Sequence, residues 1–233
     1  MDSRYERTLG RILPGDRLLA VLFCLGLNGL VYWGTQALTA HRTLTNLTTA
    51  LDQMVPFEPG WSIVYVAAYL FWVVCFVVLA RGWNWYGFMT AEVLAKLLCG
   101  LCFLILPTTN LRPELTGDGF GVWLLGLIYR VDAPRNLLPS IHCMESWLCF
   151  AGLRRRTDVS LLGKAAALAC TVLICWSTLA VRQHVITDVI SGVLLAEGMM
   201  MLGRRFHWGL RLKVCFNALW KRISESNHAK NTP

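Results

Sequence analysis

The chain has 233 residues, of which 55% are hydrophobic and 15% charged, against the roughly 25% charged of a water-soluble domain. Its formal charge is +8, but no basic stripe interleaved with exposed aromatics accompanies it, so nucleic-acid binding is excluded and the charge reads as membrane topology. The apolar residues come in blocks of about 20, long enough to cross a bilayer as helices and too uniformly apolar for barrel strands; the composition therefore predicts one compact, all-α integral membrane domain in a lipid bilayer.

Residues 1–16 form a basic leader with no small-residue cleavage site behind it, which predicts a retained first helix rather than a removed signal peptide. Membrane spans are predicted over 17–38, 61–80 and 88–106, the last ended by Pro107. A polar loop over 39–60 joins the first two spans. The stretch 120–129 is apolar but too short to cross, and reads as an interfacial or re-entrant helix between spans 3 and 4. The fourth span starts at 141–153 and is expected to extend a little beyond those bounds. The fifth and sixth are placed at 163–181 and 184–202. The expected architecture is thus a six-transmembrane-helix bundle over 17–203, followed by a basic tail, 204–233. That tail carries Trp208, Phe216 and Trp220 and suits an anionic membrane surface. The chain has nine cysteines, and nearly all lie inside apolar runs. The Cys99–Cys102 pair falls within a predicted span, where thiols pack as small hydrophobes, and no disulfide is expected.

Six spans put both termini on one side. Sixteen Lys and Arg fall on that side, including the cluster Arg154–Arg156, and five on the other, with Lys96 inside a helix. The positive-inside bias therefore makes the termini cytoplasmic. Arg112, His142 and His184 then share the external side.

His184 and Asp188 are four residues apart at the expected start of the sixth helix, on one face of it. A carboxylate there can take one imidazole N–H and leave the other nitrogen as a nucleophile; a structural His–Asp hydrogen bond between helices is the alternative. Ser140 reads as the N-cap of the fourth span, with His142 just inside, a position suited to phosphate binding and to acid catalysis; an ordinary cap beside an interfacial His is the bland alternative. Arg112 and Arg182 offer guanidinium donors matched to phosphoryl oxygens, or simply snorkel to headgroups. Lys96 hints at function by its depth in the membrane, but Glu92 one turn away favours a structural pair. Glu145, one turn after His142, is either a partner of that histidine or a helix-packing hydrogen bond.

Arg112-Pro113, then Pro139-Ser140-Ile141-His142, then Ser177 through His184-Val185-Ile186-Thr187-Asp188 resemble the three motifs of the type 2 phosphatidic acid phosphatase superfamily. The matching region runs from about 107 to 197, well under half the chain. The form Asp132-x-Pro134-x-Asn136-x-x-Pro139-Ser140-x-His142, with Arg182-Gln183-His184, is similar to the branch that includes sphingomyelin synthases and inositol phosphotransferases. The resemblance implies that His184 attacks phosphorus to form a phosphohistidine, that Asp188 orients it, and that His142 protonates the leaving group. It implies further that Arg112 and Ser140 hold the phosphate, with no metal or other cofactor. Pro113, Asp132, Asn136, Glu145 and Ser177 would stand behind these residues. Three positions depart from the family pattern. Ile105 stands where a Lys is usual, Ile141 where a Gly is usual, and Thr178 where an Arg is usual; Arg182 is the candidate substitute for a missing cation.

The expected function is a lipid-phosphate phosphatase acting at the external face of a bacterial plasma membrane on a phospholipid or polyprenyl phosphate. A lipid phosphotransferase using the same His–His–Asp site is the alternative. A transporter lined by Lys96, Glu92 and Asp188 lacks the inverted repeat and broken helices of such proteins. A metalloenzyme lacks an H-E-x-x-H pattern. A catalytically inactive relative is the remaining class.

Overall fold

The computed structural model describes residues 13–82, 84–206 and 208–230. Most of the leader, including Arg4, Arg7 and Arg11, lies outside the described residues, as do the last three residues of the tail. In chain order the helices are α1 (Gly15–Leu38), α2 (Ala50–Met54), a 3-10 turn (Pro59–Trp61), α3 (Ser62–Ala80), α4 (Trp85–Ile105), α5 (Phe120–Val131), α6 (Ile141–Leu153), α7 (Leu161–Ala180), α8 (Ile186–Arg205) and α9 (Gly209–Lys230). Two two-residue strands, Thr45–Asn46 and Thr108–Thr109, pair in parallel and tie the loop after α1 to the segment after α4.

Among the described residues, five helices are long and apolar enough to cross a membrane: α1, α3 with its preceding turn, α4, α7 and α8. Their outward faces carry large apolar side chains such as Leu25, Leu30, Trp33, Leu70, Val73, Leu97, Val172 and Leu194. An apolar surface of that extent suits lipid and not water. Span α4 is 56% buried within the protein, against 22–28% for the other four. It is therefore the central helix, packed on α1, α6, α8 and α9. The helix expected over 141–153 forms with those bounds and extends at neither end. Its 13 residues cover about 20 Å, short of a ~30 Å hydrocarbon core. Ser140 caps its start, and just past its end Arg156 turns back to donate to the carbonyls of Val78 and Leu79.

Helix α5 lies against the start of α3. A Cβ on Gly121 would come within 2.8 Å of the Gly60 Cα, so only glycine allows that approach. Ser62 donates to the Gly121 carbonyl, and Tyr129 to that of Val181. The basic tail forms α9 and docks on the bundle through Phe216, whose ring centroid lies 5.8 Å from that of Phe23 and 6.3 Å from that of Tyr86.

Candidate active site

Helix α7 ends in a tight reversal. Arg182 takes a left-handed backbone (φ 54°). The N–H groups of Gln183 and His184 both donate to the Thr178 carbonyl, at 3.0 and 3.1 Å. That reversal holds His184 outside the next helix. Helix α8 begins at Ile186 with Val185 as its cap, a correction to the expectation that His184 opens the helix. His184 and Asp188 still meet, by a different route. Asp188 occupies the third helical position and turns its carboxylate back, where Oδ2 accepts the Val185 N–H at 3.0 Å and stands 3.3 Å from Nδ1 of His184. Helix capping and imidazole orientation are thus done by one carboxylate. Since Nδ1 faces Asp188, Nε2 is left for other chemistry.

The loop around α2 clamps the same segment from outside. Asp52 Oδ1 accepts the Ile186 N–H at 2.7 Å, and its Oδ2 caps α2 through the N–H and hydroxyl of Thr49. Arg182 donates to the carbonyls of Asp52 and, at 2.6 Å, Val55. Its guanidinium is therefore spent on loop carbonyls, although it is two residues from His184 in sequence.

The start of α6 abuts α8. Ser140 accepts the Cys143 N–H on its hydroxyl at 3.3 Å and donates its own N–H to the Asp188 carbonyl at 3.0 Å. Gly192 makes this possible, since a Cβ there would lie 2.6 Å from the Ser140 carbonyl oxygen. His142 sits in an aromatic shell from α3. Its ring stacks on Tyr65 at 4.1 Å, with Trp72 at 5.1 Å and Tyr69 at 5.6 Å. Nδ1 is 3.4 Å from the Tyr65 hydroxyl, and the buried Nε2 has no hydrogen-bond partner among the described residues. The imidazoles of His142 and His184 are close enough for their charges to interact.

Arg112 lies over the Tyr129 ring, 4.5 Å from its centroid. It donates to the Asp132 carbonyl at 2.5 Å and to Oε1 of Gln183 at 2.8 Å. Its buried Nε and the buried Nε2 of Gln183 lack partners among the described residues. Asp132 accepts from the Tyr32 hydroxyl. Asn136, also left-handed (φ 57°), donates to the Tyr32 carbonyl and to the Thr35 hydroxyl, pinning this loop to α1.

The structure therefore brings together His184, Asp188, Ser140, His142, Arg112 and Asp132. Other candidates stand elsewhere. Glu145 pairs with Lys96 instead of His142. Ser177 donates to the Ile174 carbonyl within its own helix. Pro113 is exposed. The aromatic shell of Tyr65, Tyr69 and Trp72 was not anticipated, although its spacing of four and then three residues is legible as one helical stripe. Nor was Asp52, although Thr49-x-x-Asp52 has the form of a capping box.

Burial by itself disfavours the charged form of His184, but the hydrogen bond and charge of Asp188, with Cys143 and Asp132 nearby, outweigh it and raise its pKa above the ordinary imidazole value. Burial raises that of Asp132, against the pull of Tyr32, Arg112 and His184. For Asp52, burial pushes upward, yet the N–H of Ile186, the Thr49 donors and Arg182 prevail and hold it below the usual carboxylate range. No group of three or more His, Cys, Asp or Glu among the described residues is arranged to hold a metal ion. No family model, curated protein or solved structure matches this chain.

Proposed function

We propose that this protein is a membrane lipid-phosphate phosphatase working through a phosphohistidine intermediate. The observation that carries the reading is the cluster of unsatisfied buried nitrogens around His184. Arg112 Nε, Gln183 Nε2 and His142 Nε2 all lack a partner among the described residues. A buried donor left unpaired costs about 1–3 kcal/mol, and a phosphoryl group supplies the acceptor oxygens that would satisfy such donors.

In the proposed reaction Nε2 of His184 attacks phosphorus, and the bond from phosphorus to the lipid oxygen breaks with its electron pair on that oxygen. His142 takes up a proton at Nε2 from solvent as the anionic phosphoryl group binds beside it, and gives that proton to the departing oxygen. Water then attacks phosphorus, passing a proton to His142. The P–N bond breaks, phosphate leaves, and His184 is neutral again. Asp188 stabilises the positive charge on His184 in between. In the membrane, α6 acts as the fourth of six crossings, α5 lies at the interface, and the termini face the cytoplasm. The site then opens to the external face of a bacterial plasma membrane, where a phospholipid or polyprenyl phosphate reaches it.

The test is phosphate release by purified protein in detergent from a panel of lipid phosphates, beside His184→Ala. Release by the native protein, abolished in a variant that keeps its thermal unfolding midpoint, is the expected result. No release across the panel from well-folded protein, or release that survives His184→Ala, overturns the proposal.

A further inference from the structure

Away from the candidate site, three ionisable side chains meet inside the bundle. Lys96 on α4 contacts Glu92 one turn earlier on the same helix, and Oε1 of Glu145 on α6 at 2.7 Å. Its ammonium also donates to the Cys24 carbonyl of α1 at 3.4 Å. Relative exposures are 0% for Glu92, 2% for Lys96 and 5% for Glu145, so all three are shut away from solvent. The other titratable groups that face them are the thiols of Cys24 on α1, Cys99 on α4 and Cys149 on α6, which supply no countercharge.

The charge balance does not close. Two carboxylates against one ammonium leave a net negative charge in the protein interior at membrane depth, the most costly place for one. Each carboxyl, moreover, has one oxygen without a partner: Oε2 of Glu92 and Oε2 of Glu145 are buried and make no hydrogen bond among the described residues. The two carboxyls are near enough for their charges to interact. One added positive charge between them would neutralise the cluster and satisfy the orphaned oxygens together.

We propose that Glu92, Lys96 and Glu145 form a proton-binding site within the bundle, in which the two carboxyls share one proton while Lys96 stays charged. The neutral cluster then cross-links α1, α4 and α6 without a buried net charge. It anchors the short helix α6 one turn below His142. The inference concerns the bundle itself and stands apart from any activity at the external site.

Infrared spectroscopy of the full chain in lipid nanodiscs tests it. At neutral pH the C=O stretch of a protonated carboxyl is expected in the native protein. It should shift on labelling glutamate carboxyls with carbon-13, which separates it from aspartate, and it should exchange slowly in heavy water. Absence of such a glutamate band from the native protein overturns the proposal, with no variant needed. Thermal unfolding adds a second readout. Glu92→Gln or Glu145→Gln replaces a shared acid by a neutral amide and should leave the midpoint within a few degrees of native. Lys96→Met should lower it markedly, and Lys96→Met with both glutamines should recover much of the loss. Either glutamine variant proving as damaging as Lys96→Met counts against a shared proton. A midpoint that depends on sodium at fixed pH assigns the occupant as a metal cation instead and overturns the proposal.

Discussion

Replacing Asp188 by Asn separates the capping role of this residue from its electrostatic one. The amide oxygen can still accept the Val185 N–H that Asp188 accepts at 3.0 Å, so the start of α8 should hold and the unfolding midpoint should move little. What is lost is the negative charge 3.3 Å from Nδ1 of His184. At an effective dielectric constant near 20, a unit charge pair at that distance is worth about 5 kcal/mol. The amide dipole keeps part of this, leaving a loss of about 3–4 kcal/mol in the state where His184 carries positive charge. At 1.36 kcal/mol per tenfold, the rate should fall by roughly a hundredfold to a thousandfold. The pH profile gives a second sign. Asp188 heads the charged groups that hold the His184 pKa above its ordinary value, and a nucleophile must be unprotonated. Native activity should therefore rise with pH through a value above the ordinary imidazole range of about 6.5, and in Asp188→Asn that limb should move to lower pH. The assay is initial-rate phosphate release against pH, beside thermal unfolding of both proteins. An unchanged rate with an unmoved acid limb would refute the electrostatic role and leave Asp188 as a helix cap.

Two further predictions follow from the supports of the site. Gly192→Ala puts a Cβ where it would meet the Ser140 carbonyl oxygen at 2.6 Å; the α6–α8 contact must open, costing about 1–3 kcal/mol. A lowered unfolding midpoint together with lost activity is expected, and a fully stable, active variant would show that the two helices are not held at this distance. Asp52 is more acidic in the folded protein than in the unfolded chain. It therefore adds stability that is fully present above the unfolded carboxylate value of about 3.9 and is lost as pH falls through the lower folded value. Asp52→Asn should flatten the acid side of the stability–pH curve, read by thermal unfolding in detergent from pH 7 downward; an unchanged curve would remove Asp52 from the clamp on residues 182–186.

Much of this protein is legible along the chain because its solvent is a bilayer. Uninterrupted apolar blocks force helices wherever the backbone must satisfy its own hydrogen bonds, so α1, α3, α4, α7 and α8 lie within a few residues of their expected bounds. The start of α6 was also readable, from Ser140 as a cap, whereas the extension expected beyond 141–153 does not form. The residues at helix ends, His142, His184 and Asp188, stand out because polar groups are rare at that depth. What periodicity could not supply is direction. Arg182 looked like a phosphate ligand by nearness in sequence, but a left-handed backbone turns its guanidinium onto the carbonyls of Asp52 and Val55. Glu145 looked like a partner of His142, but α4 presents Lys96 to it from another helix. Arg112 meets Gln183 across 71 positions of chain, and Tyr65 meets His142 across 77. The sequence by itself determined a helical membrane protein and the residue types able to handle a phosphoryl group, since burial cost and helix periodicity act locally. Which of those residues face one another was decided only by the tertiary structure, because the loops that reverse and cap the helices set side-chain direction through contacts far apart in the chain.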